Sequence, residues 1–196
     1  GGQLQFGSFT GTITNTIHVS GVGAAMQWRS GYTKPTGAIT FTGTGGTNSG
    51  PVELTGDTRF SAPGSTNNYG LISGPISGNY GIEIGYTNIY ANEQFGTVRF
   101  SGTNTYTGLT KISGGTLELR SPASISQGPY LVSTNLVFNF AGNATFTNVI
   151  TGSGRIIQNG GGLVRLTKAS SFTGTFIANS GEILLGDASA TIIVIR

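Results

Sequence analysis

Along most of the chain, apolar and polar residues alternate with a period of two rather than 3.6. Thr40-Phe41-Thr42, Thr97-Val98-Arg99-Phe100, Thr116-Leu117-Glu118-Leu119 and Leu163-Val164-Arg165-Leu166 show the pattern. Successive side chains of a strand point to opposite faces, so these segments read as short, half-buried strands. Glycine cuts them every few positions, at Gly43, Gly45 and Gly46, at Gly114-Gly115 and from Gly160 to Gly162. It supplies the positive-φ turns that other residues resist. Only Asn88 to Gln94 has helical flavour, and it is too short to be more than a turn or loop.

The pattern also repeats. Sliding the sequence so that Gly96 falls on Gly162 lays Val98, Arg99, Thr107, Gly108, Gly115 and Leu119 on Val164, Arg165, Thr173, Gly174, Gly181 and Leu185 without a gap. Tyr106 then meets Phe172, Phe100 meets Leu166 and Leu117 meets Ile183. A third of that offset is about 22 residues, inside the 20–50 range of solenoid repeats, which predicts three coils per offset. Gly108 and Gly174, equivalent in the two copies, are expected at a coil corner with φ > 0.

Both copies resemble the autotransporter-associated β-strand repeat of parallel β-helical passenger domains. The segment Gly96 to Leu119 carries the resemblance through Thr97-Val98-Arg99-Phe100, Tyr106-Thr107-Gly108 and Gly114-Gly115-Thr116-Leu117. Gly162 to Leu185 carries it more weakly, with Phe172 in place of the tyrosine. The resemblance implies an all-β fold, a right-handed parallel β-helix (β-solenoid), in a secreted or cell-surface protein. It transfers no catalytic residue, because the repeat is an architectural unit. We read residues 1–196 as a single elongated domain: 76–190 form clear repeats, and 1–75 form less regular coils or a sandwich-like cap. Rungs about 4.7–4.9 Å high make about nine coils a rod on the order of 40 Å long.

Composition narrows the function classes. Glycine contributes 34 residues and threonine 28, lysine and glutamate only 3 and 5, so helix bundles are excluded. Leu, Ile, Val and Phe together make 50 of 196 residues, which excludes a disordered chain. The net charge of +3 has no basic run behind it, so no nucleic-acid partner is expected. No apolar stretch is long enough for a membrane helix. The absence of cysteine removes thiol chemistry and thiolate metal sites. The start at Gly1-Gly2 reads as a processed or excised form.

Catalytic constellations are sparse. The single histidine, His18, is expected on the polar side of a strand, so no nucleophilic triad is available. Asp57 and Asp187 read as turn residues bonding their own backbone, on the order of 28 Å apart. Glu53 with Asp57, or Glu83 with Glu93, remain as carboxylate pairs for glycoside hydrolysis. No calcium repeat is present, and no metal or cofactor is expected. Arg99 and Arg165, with Arg155 near the latter, read as solvated outward residues about 14 Å apart, and Lys111 and Lys168 as isolated charges.

Two places look suited to contact. Residues 79–95 form an insertion of eight residues relative to the second copy, with Tyr80, Tyr86 and Tyr90 as amphipathic surfaces for sugars or a protein chain. Trp28 with Tyr32 is a weaker place of the same kind. At the ends, Ile192, Ile193, Val194 and Ile195 form an uncharged strand edge that Leu4 and Phe6 of another copy would meet head to tail. The reading is therefore a non-catalytic extracellular or cell-surface structural and adhesive protein, self-assembling into filaments, with surface glycans as a further partner. The alternatives are a polysaccharide-degrading enzyme, as in phage tailspikes, or a glycan-binding module on the same fold.

Overall fold

The structure is a computed structural model that describes residues 3–7, 11–23, 25–27, 33–35, 37–85, 94–169, 171–186 and 193–195, with the backbone alone for 25–27, 33–35 and 193–195. Its short strands stack in parallel into a β-solenoid with three faces. The first face runs through Leu4–Phe6, Ile39–Phe41, the second half of Val52–Ser61, Ile82–Ile84, Thr110–Ile112, Tyr130–Val132, Ile150–Gly152 and Ser171–Phe172. The second runs through Thr12–Ile13, Thr44–Asn48, Tyr69–Ile72, Thr97–Phe100, Thr116–Leu119, Asn135–Phe138, Arg155–Gln158 and Thr175–Ala178. Ile17–Gly21, the first half of Val52–Ser61 and Ile76–Ser77 begin the third face. Ala144–Phe146, Leu163–Leu166 and Glu182–Leu185 resume it further along. Among the described residues the second face holds eight strands, so seven rung steps span roughly 34 Å. That is fewer than the nine coils expected, and the first turn alone takes the whole stretch from Leu4 to its rung partner Ile39.

Alternation decides what each coil buries. On the first face Ile39, Phe60, Ile84, Ile112 and Val132 stack inward in register. On the second, Phe100, Leu119 and Phe138 do the same. Together with Phe146, Leu166 and Ile183 from the third face they form one apolar column from Phe6 to Ile183. Two antiparallel pairs depart from the stack: Ala25–Gln27 with Thr33–Pro35, and Glu182–Leu185 with Ile193–Ile195.

The offset between the two sequence copies is not three coils. Thr97 stacks on Thr116, Asn135 and Arg155 in turn, whereas its counterpart in the second copy, Leu163, lies on the next face round. Rung partners Arg99 and Glu118 are 19 residues apart, and Asn159 and Asn179 are 20 residues apart. Three coils of that length fall one face short of the offset. Gly108 and Gly174 are also not among the positive-φ glycines, which include Gly115 and Gly181. They are glycines for a different reason: a Cβ on Gly108 would run into the Tyr80 carbonyl carbon, and one on Gly174 into the Gly154 carbonyl oxygen of the rung below. Close rung-on-rung approach, not turn geometry, excludes a side chain at both.

Candidate functional site: a notch at one corner

The corner that leads from the third face into the first carries one residue per rung immediately before each first-face strand: Asp57, Gly81, Leu109, Pro129 and Val149. Their carbonyls tie the rungs together, Gly81 accepting from Thr58 N–H at 3.0 Å and Leu109 from Ile82 N–H at 2.8 Å. Leu109 and Val149 are exposed. Gly81 breaks the ridge, since a Cβ there would sit 2.7 Å from the Leu109 carbonyl oxygen and 3.4 Å from Asp57 Oδ1. The missing side chain leaves an open notch of about 220 Å³ walled by Val22, Asp57, Arg59, Glu83, Leu109 and Lys111.

Register lines its floor with charge. Arg59, Glu83 and Lys111 are direct partners on three successive rungs, and all three side chains point outward because their neighbours Phe60, Ile84 and Ile112 point in. Arg59 donates to Glu83 Oε2 from Nε at 2.9 Å and from Nη2 at 2.7 Å. Lys111 Nζ lies 3.0 Å from Glu83 Oε1, which also accepts from Ser113 Oγ at 2.8 Å. Burial alone would raise the Glu83 carboxyl, but the hydrogen bonds from Ser113, Arg59 and Lys111, with the Arg59 charge, outweigh it and hold the group below its ordinary value. Asp57 stands on the rim, Oδ1 accepting from Gly81 N–H at 2.8 Å.

Chemically this arrangement holds an ionised carboxylate between two cations. A glycosidase acid must hold its proton near neutral pH, so its pKa is raised. Glu83 is pushed the other way and its lone pairs are occupied. A second charge cluster on the second face is similar: Glu118, only 8% exposed, accepts from Arg99 Nε at 3.1 Å and Asn139 Nδ2 at 2.9 Å, and its Oε1 lies 3.0 Å from Arg120 Nε. The Arg99 guanidinium also lies 3.9 Å from the centre of the Tyr69 ring. Inside the solenoid, Tyr106 and Tyr130 are buried with Thr110 and Ser126. Tyr106 Oη and Thr110 Oγ1 are 2.7 Å apart, and Ser126 N–H donates to Tyr130 Oη at 3.0 Å. Burial raises both phenols, that of Tyr106 well above its ordinary value.

Several expectations change here. Asp57 bonds the next rung rather than its own turn, and lies within a strand. Lys111 is paired, not isolated. Arg99 is a partly buried member of a charge cluster, and Arg165 lies on another face, beside Thr145 and Leu184. Of the pair Glu53 and Asp57, Glu53 Oε2 sits 3.0 Å from Nδ1 of His18, its register partner. His18 is exposed, as alternation predicts. Of the contact residues, Tyr80 is 44% exposed and adjoins the notch through Gly81. Leu4 is half-buried, and the Phe6 ring is buried against Phe41 at 4.9 Å, leaving only its backbone edge outward. Ile193, Val194 and Ile195 form a strand antiparallel to Ile183–Leu185. Tyr86, Tyr90, Ile192, Glu93, Asp187, Trp28 and Tyr32 lie outside the described residues. Among those described, no group of three metal-ligating side chains comes together.

Residues 96–119 and 156–185 match the model of the passenger-associated transport repeat family. Each match includes one coil, Thr97–Phe100 stacking on Thr116–Leu119 and Leu163–Leu166 on Glu182–Leu185. The fold is a parallel β-solenoid, and these two segments are similar to the passenger-associated transport repeat. No curated protein and no solved structure matches the chain.

Proposed function

We propose that the chain works outside the cell as a non-catalytic structural and adhesive segment of an autotransporter-type passenger. The observation that carries this reading is the occupation of its carboxylates: Glu83 and Glu118 are each held by two cations, Glu53 by His18, and Asp57 by a backbone N–H. Such acids serve as ties between rungs. Incubation with a panel of polysaccharides tests the reading. No release of reducing ends is expected, whereas turnover that disappears in Glu53→Gln or Glu83→Gln would overturn it in favour of a depolymerase.

End-to-end association belongs to the same proposal. Among the described residues, the first-rung strands Leu4–Phe6, Thr12–Ile13 and Ile17–Val19 pair on one side only. At the other end Ile193–Ile195 presents the outer edge of an antiparallel pair. Unpaired N–H and C=O groups at such edges recruit further strands. Light scattering on the full chain and on a form lacking 191–196 checks it: large assemblies that collapse on truncation are expected, and a full-length form that stays monomeric at high concentration sinks the idea.

A further inference from the structure

We infer that the notch at Gly81 is a binding subsite for one neutral pyranose unit of a glycan. The inference rests on the adhesive reading above and gives it a location.

Three observations converge. The first is shape. Asp57, Gly81 and Leu109 occupy equivalent corner positions, and only the middle one lacks a side chain, so the depression is one rung wide with walls above and below. Its volume of about 220 Å³ lies under the roughly 300–1,000 Å³ of drug-sized sites, which fits a single ring and excludes a folded peptide. The second is the mixture of surfaces. Val22 and Leu109 are exposed at 45% and 41% and offer apolar walls to a C–H face. A pyranose carries both an apolar face and a hydroxyl edge, which this mixture of surfaces matches.

The third observation is the polar rim. Asp57 uses one carboxylate oxygen on Gly81 N–H and, among the described residues, keeps the other as an acceptor. Lys111 spends one N–H on Glu83 and keeps two donors on an ammonium that is 42% exposed. An acceptor and a donor on one rim suit the hydroxyls of a sugar, one hydroxyl donating to Asp57 and another accepting from Lys111. Charge selects against anions: among the described residues Arg59 and Lys111 face Glu83 and Asp57, so a carboxylated sugar or a phosphate meets the repulsion of Asp57 without a net positive charge to offset it.

Backbone-amide NMR of the full chain, titrated with glucose, galactose, mannose, N-acetylglucosamine, glucuronate and inorganic phosphate, tests the site. At least one neutral sugar is expected to shift the amides of Gly81, Ile82, Leu109 and Lys111 at millimolar concentration. Asp57→Asn, which leaves the Arg59–Glu83–Lys111 ladder intact, is expected to weaken binding roughly tenfold, the cost of one charge-assisted hydrogen bond. Leu109→Gln is expected to weaken it through the apolar wall, and melting curves confirm that both variants fold. Shifts elsewhere, tighter binding of glucuronate or phosphate, binding unchanged in Asp57→Asn, or no shift with any neutral sugar each overturns the site. Cleavage of a bound oligosaccharide would instead leave the site standing and remove the non-catalytic reading, so the two failures are distinguishable.

Discussion

The first coils and the last coils enclose the same kind of core by different means. In the early part, climbing one rung takes the chain from Leu4 to Ile39, then from Ile39 to Phe60, and on the third face from Val52 to Ile76, three stretches of unequal length. Later the spacing settles, at 19 residues between Thr116 and Asn135 and 20 residues between Asn159 and Asn179. The filling differs as well. In one second-face column the stacked residues are Gly46, Gly70, Val98, Leu117, Leu136 and Ile156. The two glycines lie where Phe6 and Phe41 of the first face cross the interior, and a Cβ at Gly46 would come 2.8 Å from Phe6 Cβ while one at Gly70 would enter the Phe41 ring. Where the aromatics stop, aliphatic side chains take over the column. Small residues face the aromatics and larger ones replace them, so the interior stays filled in both parts while turn length varies outside it.

The largest expected effect breaks this complementarity. Gly70→Val copies the residue found one rung later, yet it should cost about 1–3 kcal/mol or more by overpacking against Phe41. Phe41→Ala alone should cost about 3–5 kcal/mol through its cavity. The double variant should be more stable than the sum of the two losses implies, because each change fills or frees the space the other disturbs. Urea unfolding of the four forms measures the coupling; additive losses would show that the early coils relax independently of their aromatics.

This contrast also explains what was legible in the sequence. Period-two alternation needs only adjacent residues, so the strands Thr97–Phe100, Thr116–Leu119 and Leu163–Leu166 are read directly. Coil length is legible only where turns are regular, and even there the offset that superposes Gly96 on Gly162 joins two different faces, because side-chain pattern, not position on the rod, is what repeats. The Arg59–Glu83–Lys111 ladder was invisible for the same reason. Glu83 lies 24 residues beyond Arg59, and Lys111 lies further still beyond Glu83, across turns whose lengths no propensity fixes. The signal that was present, a charge at the outward position between two inward residues in Thr58-Arg59-Phe60, Ile82-Glu83-Ile84 and Thr110-Lys111-Ile112, becomes a ladder only once register is known.

A smaller effect separates two reasons for glycine. Gly45, in the early coils, has φ +87° and open space around it, with Tyr69 Oη at 3.8 Å as the nearest atom to an added Cβ. Gly45→Ala should therefore cost about 1–2 kcal/mol through backbone strain alone, and Gly45→Asn distinctly less, since asparagine tolerates that region. Gly108, at the start of the regular coils, is excluded by contact with the Tyr80 backbone. Gly108→Ala and Gly108→Val should both cost on the order of 1–3 kcal/mol by forcing the rungs apart, with no relief from asparagine. Thermal melts of the Asn variants decide the matter: a Gly108→Asn protein as stable as wild type would restore a turn role for Gly108.

The smallest effect tests the seam between the two regions. Glu83 joins Arg59, on the last long strand of the early coils, to Lys111 and Ser113 on the first regular rung. Its carboxyl is held below the ordinary value of 4.5, so at and above neutral pH folded and unfolded chains are both ionised and the full stabilisation is present. As pH falls through the ordinary value the unfolded chain takes up the proton first, and the contribution is lost progressively until the folded group is protonated too. Stability should decline with falling pH through this window. Glu83→Gln should be less stable than wild type at neutral pH and should show a shallower decline, so that the two curves of unfolding free energy converge in acid. Parallel curves would mean that the ladder contributes packing and hydrogen bonds but no charge-dependent tie. Convergence would identify the Glu83 charge as one of the ties by which an irregular stack of coils is held in register on a regular one.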